Sequence, residues 1–407
     1  MQLPDEFVRK TCDLMGQERF ECYLKSFEEE PPVSIRLNPM KSGEWMVDGE
    51  KIDWCRNAYY LEKRPNFTFD PLFHAGCYYV QEAASMFLDE VLRQLPITIH
   101  QALDLCAAPG GKSTLLRAAL PADSMLYSNE PIRNRASILL ENVQKWGYGN
   151  HVVTNLYPKD YRQAKGCFDL ILCDVPCSGE GMFRKDEATI KEWSPQNVEK
   201  CWQLQREIVS DAWQCLNEGG LLIYSTCTFN TKEIEENIRW MMNELGAEVL
   251  PIETKPEWHI TGSLLEGFHE PVYRFIPGIT RSEGLFVCVL RKGSFKSVST
   301  EETTSFNGGN KVFPRRKLPV SPMETHQIHA DGPQVELSYQ QAMAYLRGEA
   351  LQLSGETPRG EVEVCFMGQS LGLAKNIGTR ANNLYPKPWR IKTTHIPNEY
   401  EPIIKQI

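Results

Sequence analysis

The chain has 407 residues, 42% hydrophobic and 24% charged, which suits a globular protein of two or three domains. No apolar stretch approaches the roughly 20 residues of a membrane span, and the N-terminus lacks the charged-then-apolar order of a signal peptide, so a cytoplasmic protein is expected. The net charge of −9 argues weakly against nucleic acid as a partner, but where the charges fall matters more than their sum.

Residues 1–95 read as a small mixed segment. A helix-like start from Glu6 to Leu24 leads to a short strand, "VSIRLNP", closed by Pro39, and then to an amphipathic helix, "YYVQEAASMFLDEVLRQL", ending before Pro96. From 96 to 293 strand and helix alternate. "QALDLC", "SMLYSNE", "HVVTN", "FDLILCD" and "LLIYST" read as strands. "KSTLLRAAL", "IRNRASILLENVQKWG", the long run "QNVEKCWQLQREIVSDAWQCL" ended by Gly219-Gly220, and "KEIEENIRWMMNEL" read as helices. Such alternation predicts an α/β domain with a parallel sheet and helices on both faces, whose ligands bind at the carboxyl ends of the strands. Residues 294–335 are poor in large apolar side chains and read as a linker. Residues 336–407 read as a small domain, one helix followed by short strands. The stretch from Val364 to Asn398 has no Asp or Glu and carries Lys375, Arg380, Lys387, Arg390 and Lys392, with Tyr385 and Trp389 among them. A solvated basic face is one reading; cations interleaved with stacking rings are also what an RNA surface requires.

Thirteen cysteines are spread through a chain with no export signal, which disfavours disulfides. No C-x-x-C pair occurs, so no metal site is expected, and most of these thiols read as small buried hydrophobes. Two stand out. In "CDVPCSGEG" a buried strand ends at Asp174 and Cys177 follows; in "LLIYSTCTFN" the next strand delivers Cys227 to the same edge. A structural thiol, a metal ligand and reactive sulfur compete for Cys177, but two thiols at the ligand edge favour the last.

In "ALDLCAAPGGKST" a strand delivers small residues and two glycines to the start of a helix, where free N–H groups face a ligand. A nucleoside-triphosphate loop needs glycine where Cys106 stands, and the dinucleotide G-x-G-x-x-G is absent, so both phosphate readings fall. Glu130 ends the following strand, where a carboxylate accepts from both hydroxyls of a ribose. A ribose-bearing ligand without pyrophosphate fits S-adenosylmethionine. Thiolate, acid and methyl donor in one pocket are what methylation of cytosine carbon-5 demands: sulfur adds to carbon-6, an acid assists at the ring nitrogen, and carbon-5 becomes nucleophilic. The residues alone leave open which cysteine attacks.

The set "SIRLNP", "YYVQEAASM", "DLCAAPGGK", "DVPCSGEGMFR" and "YSTCT" resembles the RNA cytosine-C5 methyltransferases of the NOL–NOP–SUN group, over residues 30–292. "LGLAKNIGTRANNLYPKPWRIK" is similar to the PUA-like RNA-binding end of the bacterial F-type ribosomal RNA members. The resemblance implies a Rossmann-like methyltransferase domain with a small N-terminal α+β segment and a mostly-β PUA-like end. It implies methylation of RNA, 16S ribosomal RNA ahead of transfer RNA, by a monomer with no membrane or metal. It makes Cys227 the nucleophile, has Cys177 assist product release, and sets Asp174 against the target base and the amino-acid end of the cofactor. Cys106, Ala107, Ala108, Pro109, Gly110, Gly111, Lys112, Glu130 and Arg135 would hold S-adenosylmethionine. The family's D-A-P-C is here Asp174-Val175-Pro176-Cys177. Where many members place an Asp beside the adenine, Asn155 is the candidate and Asp160 the alternative.

Other residues read as structural. Pro109 and Pro176 fix turns, Trp193, Trp202 and Trp213 pack, and His326 and His329 lie in a polar, solvated loop. Arg184 and Lys185 follow the cysteine loop, where RNA phosphate contact and a generic surface role are equally matched. A methyltransferase acting on another substrate would need no thiol at 227. A catalytically idle RNA-binding scaffold would need neither cysteine.

Overall fold

The strand Phe168–Asp174 shows how the central sheet forms. Its residues Leu170, Ile171, Leu172 and Cys173 are all fully buried, because alternate side chains enter two different cores. Leu170 and Leu172 face Leu115, Leu116 and Val91 from the helices Gly111–Ala119 and Leu88–Gln94. Ile171 and Cys173 face Ile208, Ala212, Ile238 and Met241 from the helices Pro195–Cys215 and Glu235–Leu245. Removing one such side chain, as in Leu172→Ala, costs about 2–5 kcal/mol of stability.

The computed structural model describes residues 2–41, 44–293, 321–329, 332–393 and 395–407. Its large sheet has the strand order Ala247–Leu250, Leu285–Lys292, Leu216–Thr226, Phe168–Asp174, Gln101–Asp104, Met125–Asn129, His151–Thr154. The last five named are parallel. Leu285–Lys292 runs antiparallel to its neighbours and to the short strand Tyr273–Phe275. The expected parallel sheet thus holds one antiparallel strand, Leu285–Lys292, inside the edge strand Ala247–Leu250, which follows the helix Glu235–Leu245 and runs parallel to the other five. This is a methyltransferase-type α/β sheet.

Ahead of it, Gly49–Lys51, Ala58–Leu61, Val33–Leu37 and Tyr78–Val80 form a four-stranded sheet. After it, Gln334–Glu336, Gly360–Phe366, Gln369–Asn376 and Ala381–Asn383 form another, packed on the helix Tyr339–Leu346. Ile35, Leu72 and Tyr78 from the first region share one apolar cluster with Tyr345, Val364 and Trp389 from the last. Ile404–Gln406 also pairs with Trp45–Val47, so the end of the chain is stitched to its beginning. Among the described residues no helix is long and apolar enough to cross a membrane.

Three sequence expectations change. The N-terminal helix is two helices, Asp5–Met15 and Gln17–Lys25, divided at Gly16, whose φ of 78° leaves the helical region. The run beginning at Tyr78 opens as a strand because Val33–Leu37 offers it a partner, and the α-helix starts only at Leu88, after a 3-10 turn at Ala84–Phe87. The long helix ends at Cys215, not at Gly219-Gly220, which lie in an irregular stretch of the next strand where the register shifts. The first part of the expected linker, 294–320, lies outside the described residues.

Candidate active site

The site is assembled at the carboxyl ends of the parallel strands. Gln101–Asp104 runs into the loop Cys106, Ala107, Ala108, Pro109, Gly110, and the helix begins at Gly111. Gly110 has φ of 116°, and a Cβ there would lie 3.2 Å from Leu139, so the turn into the helix requires glycine. Two side chains of the helix Arg133–Trp146 hold the loop: Arg135 Nη2 donates to the Ala108 carbonyl (3.1 Å) and Asn142 Nδ2 to the Pro109 carbonyl (2.8 Å). Beneath it, Asp104 accepts from Ser113 Oγ (2.6 Å), while its Oδ1 has no partner among the described residues. Burial pushes the Asp104 carboxyl up to about 7.

Glu130 follows the strand Met125–Asn129 and is 2% exposed. Its Oε1 accepts from the Ile132 N–H (3.0 Å) and its Oε2 lies 3.5 Å from Arg135 Nη1, which leaves both oxygens capacity for further donors. Arg135 thus touches both the loop and the carboxylate.

The two cysteines meet. Parallel register sets Cys173 level with Tyr224 and Asp174 level with Ser225, so the chains leave the sheet side by side and Cys177 Sγ comes 3.2 Å from Cys227 Sγ. The Gly181 N–H donates to the Cys227 carbonyl (2.9 Å), joining the two loops directly. Asp174 accepts from Ser225 Oγ (2.7 Å) and from Lys112 Nζ (2.8 Å). The hydrogen bond to Cys227, then burial, pushes the Cys177 thiol well above its ordinary value, and the charges of Cys227 and Glu233 act in the same direction. Burial alone would lower the Lys112 ammonium, but the charge and hydrogen bond of Asp174 outweigh it and the net shift is upward.

Sequence reasoning placed Lys112 with the glycine loop and missed that it grips Asp174. It also passed over Ser225, Glu180, Glu233 and Asn230. Buried acids within a few residues of both cysteines were the available signal. Asn155 donates to the carbonyls of Glu130 (2.7 Å) and Pro131 (2.9 Å), so its amide supports the Glu130 turn, whereas the Asp160 carboxylate caps its own turn at Tyr157 N.

Several expectations are corrected by burial. Arg184 is no phosphate ligand: its side chain is almost wholly enclosed in an ion pair with Glu283 (2.7 Å). Lys375, Arg380, Lys387 and Lys392 are exposed and Arg390 half-buried, but Tyr385 and Trp389 are core residues and offer no stacking platform. Trp389 packs on Tyr385 and His326 and under Lys145 of the helix Arg133–Trp146, because the C-terminal region docks there. His329 is paired with Glu363 (2.8 Å) rather than simply solvated.

Comparison with known proteins gives the family. The family model for the 16S rRNA methyltransferase RsmB/F matches residues 95–291. Those for the N-terminal domain of 16S rRNA methyltransferase RsmF and for the methyltransferase RsmF PUA domain match residues 3–83 and 333–391. The chain belongs to the RsmB/F family of 16S rRNA methyltransferases. Similar family members include the ribosomal RNA small subunit methyltransferase F of Shigella flexneri, 27% identical over 94% of this chain and 96% of that protein. That of Aliivibrio fischeri is 28% identical over 95% and 97%. Among solved structures, NSun6 from Pyrococcus horikoshii with SFG shares the fold, with a TM-score of 0.59, 19% identity, and 72% of this chain and 98% of that one covered. A methyltransferase homologue from the same organism gives 0.58 and 24%, covering 71% and 100%.

Proposed function

We propose that this RsmB/F chain methylates carbon-5 of a cytidine in 16S ribosomal RNA, with Cys227 bonding transiently to carbon-6 of the ring. The observation that supports this most is the contact of Cys177 with Cys227 beside Asp174 and the glycine loop. Carbon-5 of cytosine is a poor nucleophile. Addition of the Cys227 sulfur to carbon-6 breaks the ring double bond and moves electron density to carbon-5. Asp174, fixed by Lys112 and Ser225, is arranged as an acceptor, and the exocyclic amino group of cytosine is a donor that would suit it. After transfer, the carbon-5 proton leaves and the carbon–sulfur bond breaks with its electrons returning to Cys227. Cys177, in contact with that sulfur, is placed for proton transfer during release.

The donor set fits S-adenosylmethionine. Glu130 has room to accept from a ribose, with Arg135 holding it. The first turn of the helix from Gly111 offers N–H groups to a carboxylate. The unpartnered oxygen of Asp104, with Asp174 nearby, suits an ammonium. Residues Cys106 to Lys112 would border this ligand, with Asn155 on the side of the Glu130 turn. When bound, the group supplies an electrophilic methyl. Lys375, Arg380, Lys387 and Lys392, with Arg390 partly covered, would meet RNA phosphates.

The test is incubation with labelled S-adenosylmethionine and 16S RNA or small subunits lacking the modification, followed by digestion to nucleosides. Label is expected in 5-methylcytidine; label in any other nucleoside, or none, overturns the reading.

A further inference from the structure

Behind the sulfur pair lie two carboxylates, Glu180 and Glu233, exposed by only 2% and 0%. Neither has a cationic partner among the described residues. Burying an ionised carboxylate carries a heavy desolvation penalty, and apolar side chains of similar volume usually serve stability as well or better. Stability alone is therefore a poor reason for the pair.

Their hydrogen bonds suggest another. Glu180 lies on the Cys177 loop but accepts from the Cys227 loop: from Thr228 Oγ1 (2.8 Å), the Phe229 N–H (2.9 Å) and the Asn230 N–H (2.9 Å). Glu233 lies beyond Cys227 but accepts from the Cys177 loop, at the Ser178 N–H (3.0 Å), and from Gln205 (2.7 Å). Asn230 Nδ2 donates to both carboxylates, at 3.1 Å and 2.8 Å, and Ser178 Oγ meets Thr228 Oγ1 at 2.9 Å. Each acid is thus carried by one cysteine loop and bonded to the other, and the arrangement is reciprocal.

We propose that Glu180 and Glu233 are positioning residues that cross-clamp the two loops and hold the sulfurs of Cys177 and Cys227 in contact before RNA arrives. What the pair then does rests on the function proposed above; how it is held does not. A carboxylate suits this task because its two oxygens accept several backbone and side-chain donors at once, and charge-assisted bonds to N–H groups are roughly twice as strong as neutral ones. Glu233 also acts on Cys177 electrostatically, in the direction that keeps its proton on.

Sulfur contact can be read without RNA or cofactor. Diamide oxidises two adjacent thiols to a disulfide: the sulfurs give up two protons and two electrons, and the nitrogen double bond of the reagent is reduced to a hydrazine. The rate at which the full-length protein forms the Cys177–Cys227 linkage, followed by peptide mapping, reports how well the sulfurs are juxtaposed. Glu180→Asp and Glu233→Asp keep the charge but shorten the reach by one methylene, and each is expected to slow closure on the order of tenfold or more. Trp193→Phe removes a bond to Glu180 (2.9 Å) that does not cross between the two cysteine loops, and it should lower thermal stability while leaving the closure rate near wild type. Should the Asp variants not fold, Thr228→Val, which loses one clamp bond, is expected to slow closure severalfold. Wild-type closure in a folded Asp variant, or in Thr228→Val where neither folds, overturns the clamp. Equal slowing in Trp193→Phe does so too. A failure of the catalytic reading would instead appear in the RNA assay, with closure rates as expected.

Discussion

Cys227 and Cys177 touch, yet their surroundings differ. Cys227 lies on the side of the Lys112 ammonium, whose shift it contributes to, while Cys177 has Glu233 behind it. The roles proposed here, attack by Cys227 and assistance to release by Cys177, are those the family resemblance implies. The two alanine variants should consequently fail differently. Cys227→Ala is expected to abolish both turnover and the covalent protein–RNA adduct. Cys177→Ala should still add to the ring but stall at release, so that a denaturation-resistant adduct accumulates on gels. An adduct with Cys227→Ala and none with Cys177→Ala would reverse the two assignments.

Between the elements, the cysteine loops are braced by a third segment. Gly284 N–H donates to the Gly181 carbonyl (3.0 Å), and a Cβ built on Gly284 would stand 2.4 Å from Gly181 Cα and 2.7 Å from the Phe229 ring. Phe229 follows Cys227 by two positions, and its carbonyl accepts from the buried Arg274 Nη1 (2.6 Å). Close approach of two backbones and a ring leaves no room for a methyl group. Gly284→Ala is expected to cost about 1–3 kcal/mol of stability by overpacking, measured by denaturant titration, and to slow turnover of the folded fraction because displacing Gly181 and Phe229 shifts both cysteine loops. A variant with unchanged midpoint and unchanged turnover would show the approach to be looser than described.

Across the whole molecule, the first and last regions are joined through one acid. Asp70 accepts from the Leu72 N–H (2.9 Å) and Tyr78 Oη (2.8 Å) in its own region and from Tyr400 Oη (3.0 Å) near the end of the chain. Burial raises its pKa to about 6, although the hydrogen bonds oppose the shift. Its unfolded value is about 3.9, so between these limits the folded state binds more protons. The stability contributed is complete below about pH 4 and is lost as pH rises through about 6, with a total near 3 kcal/mol. Asp70→Asn has no charge to bury, and the tyrosine hydroxyls can rotate to suit its amide. Relative to this variant, the wild type should lose stability from pH 4 to pH 7. Parallel stability curves for the two proteins would remove Asp70 from the pH response.

The strand and helix alternation, the loop at Gly110, the acid at Glu130 and the delivery of both cysteines to one sheet edge were readable from residue spacing, because strand ends and helix starts are set largely by near neighbours in the chain. Resemblance to other sequences, rather than physics, separated the roles of Cys177 and Cys227. Only the folded chain decided that the sulfurs touch, that Lys112 holds Asp174, and that Glu180 and Glu233 cross between loops. The same holds for Arg184, paired with Glu283, and for Tyr385 and Trp389, buried rather than stacked on RNA. These depend on partners distant in the chain: 50 residues off for the two sulfurs, 62 for Lys112, 99 for Arg184 and up to 55 for the clamp. Local spacing says which way a side chain leaves its strand; what it meets there is set by the packing of distant elements.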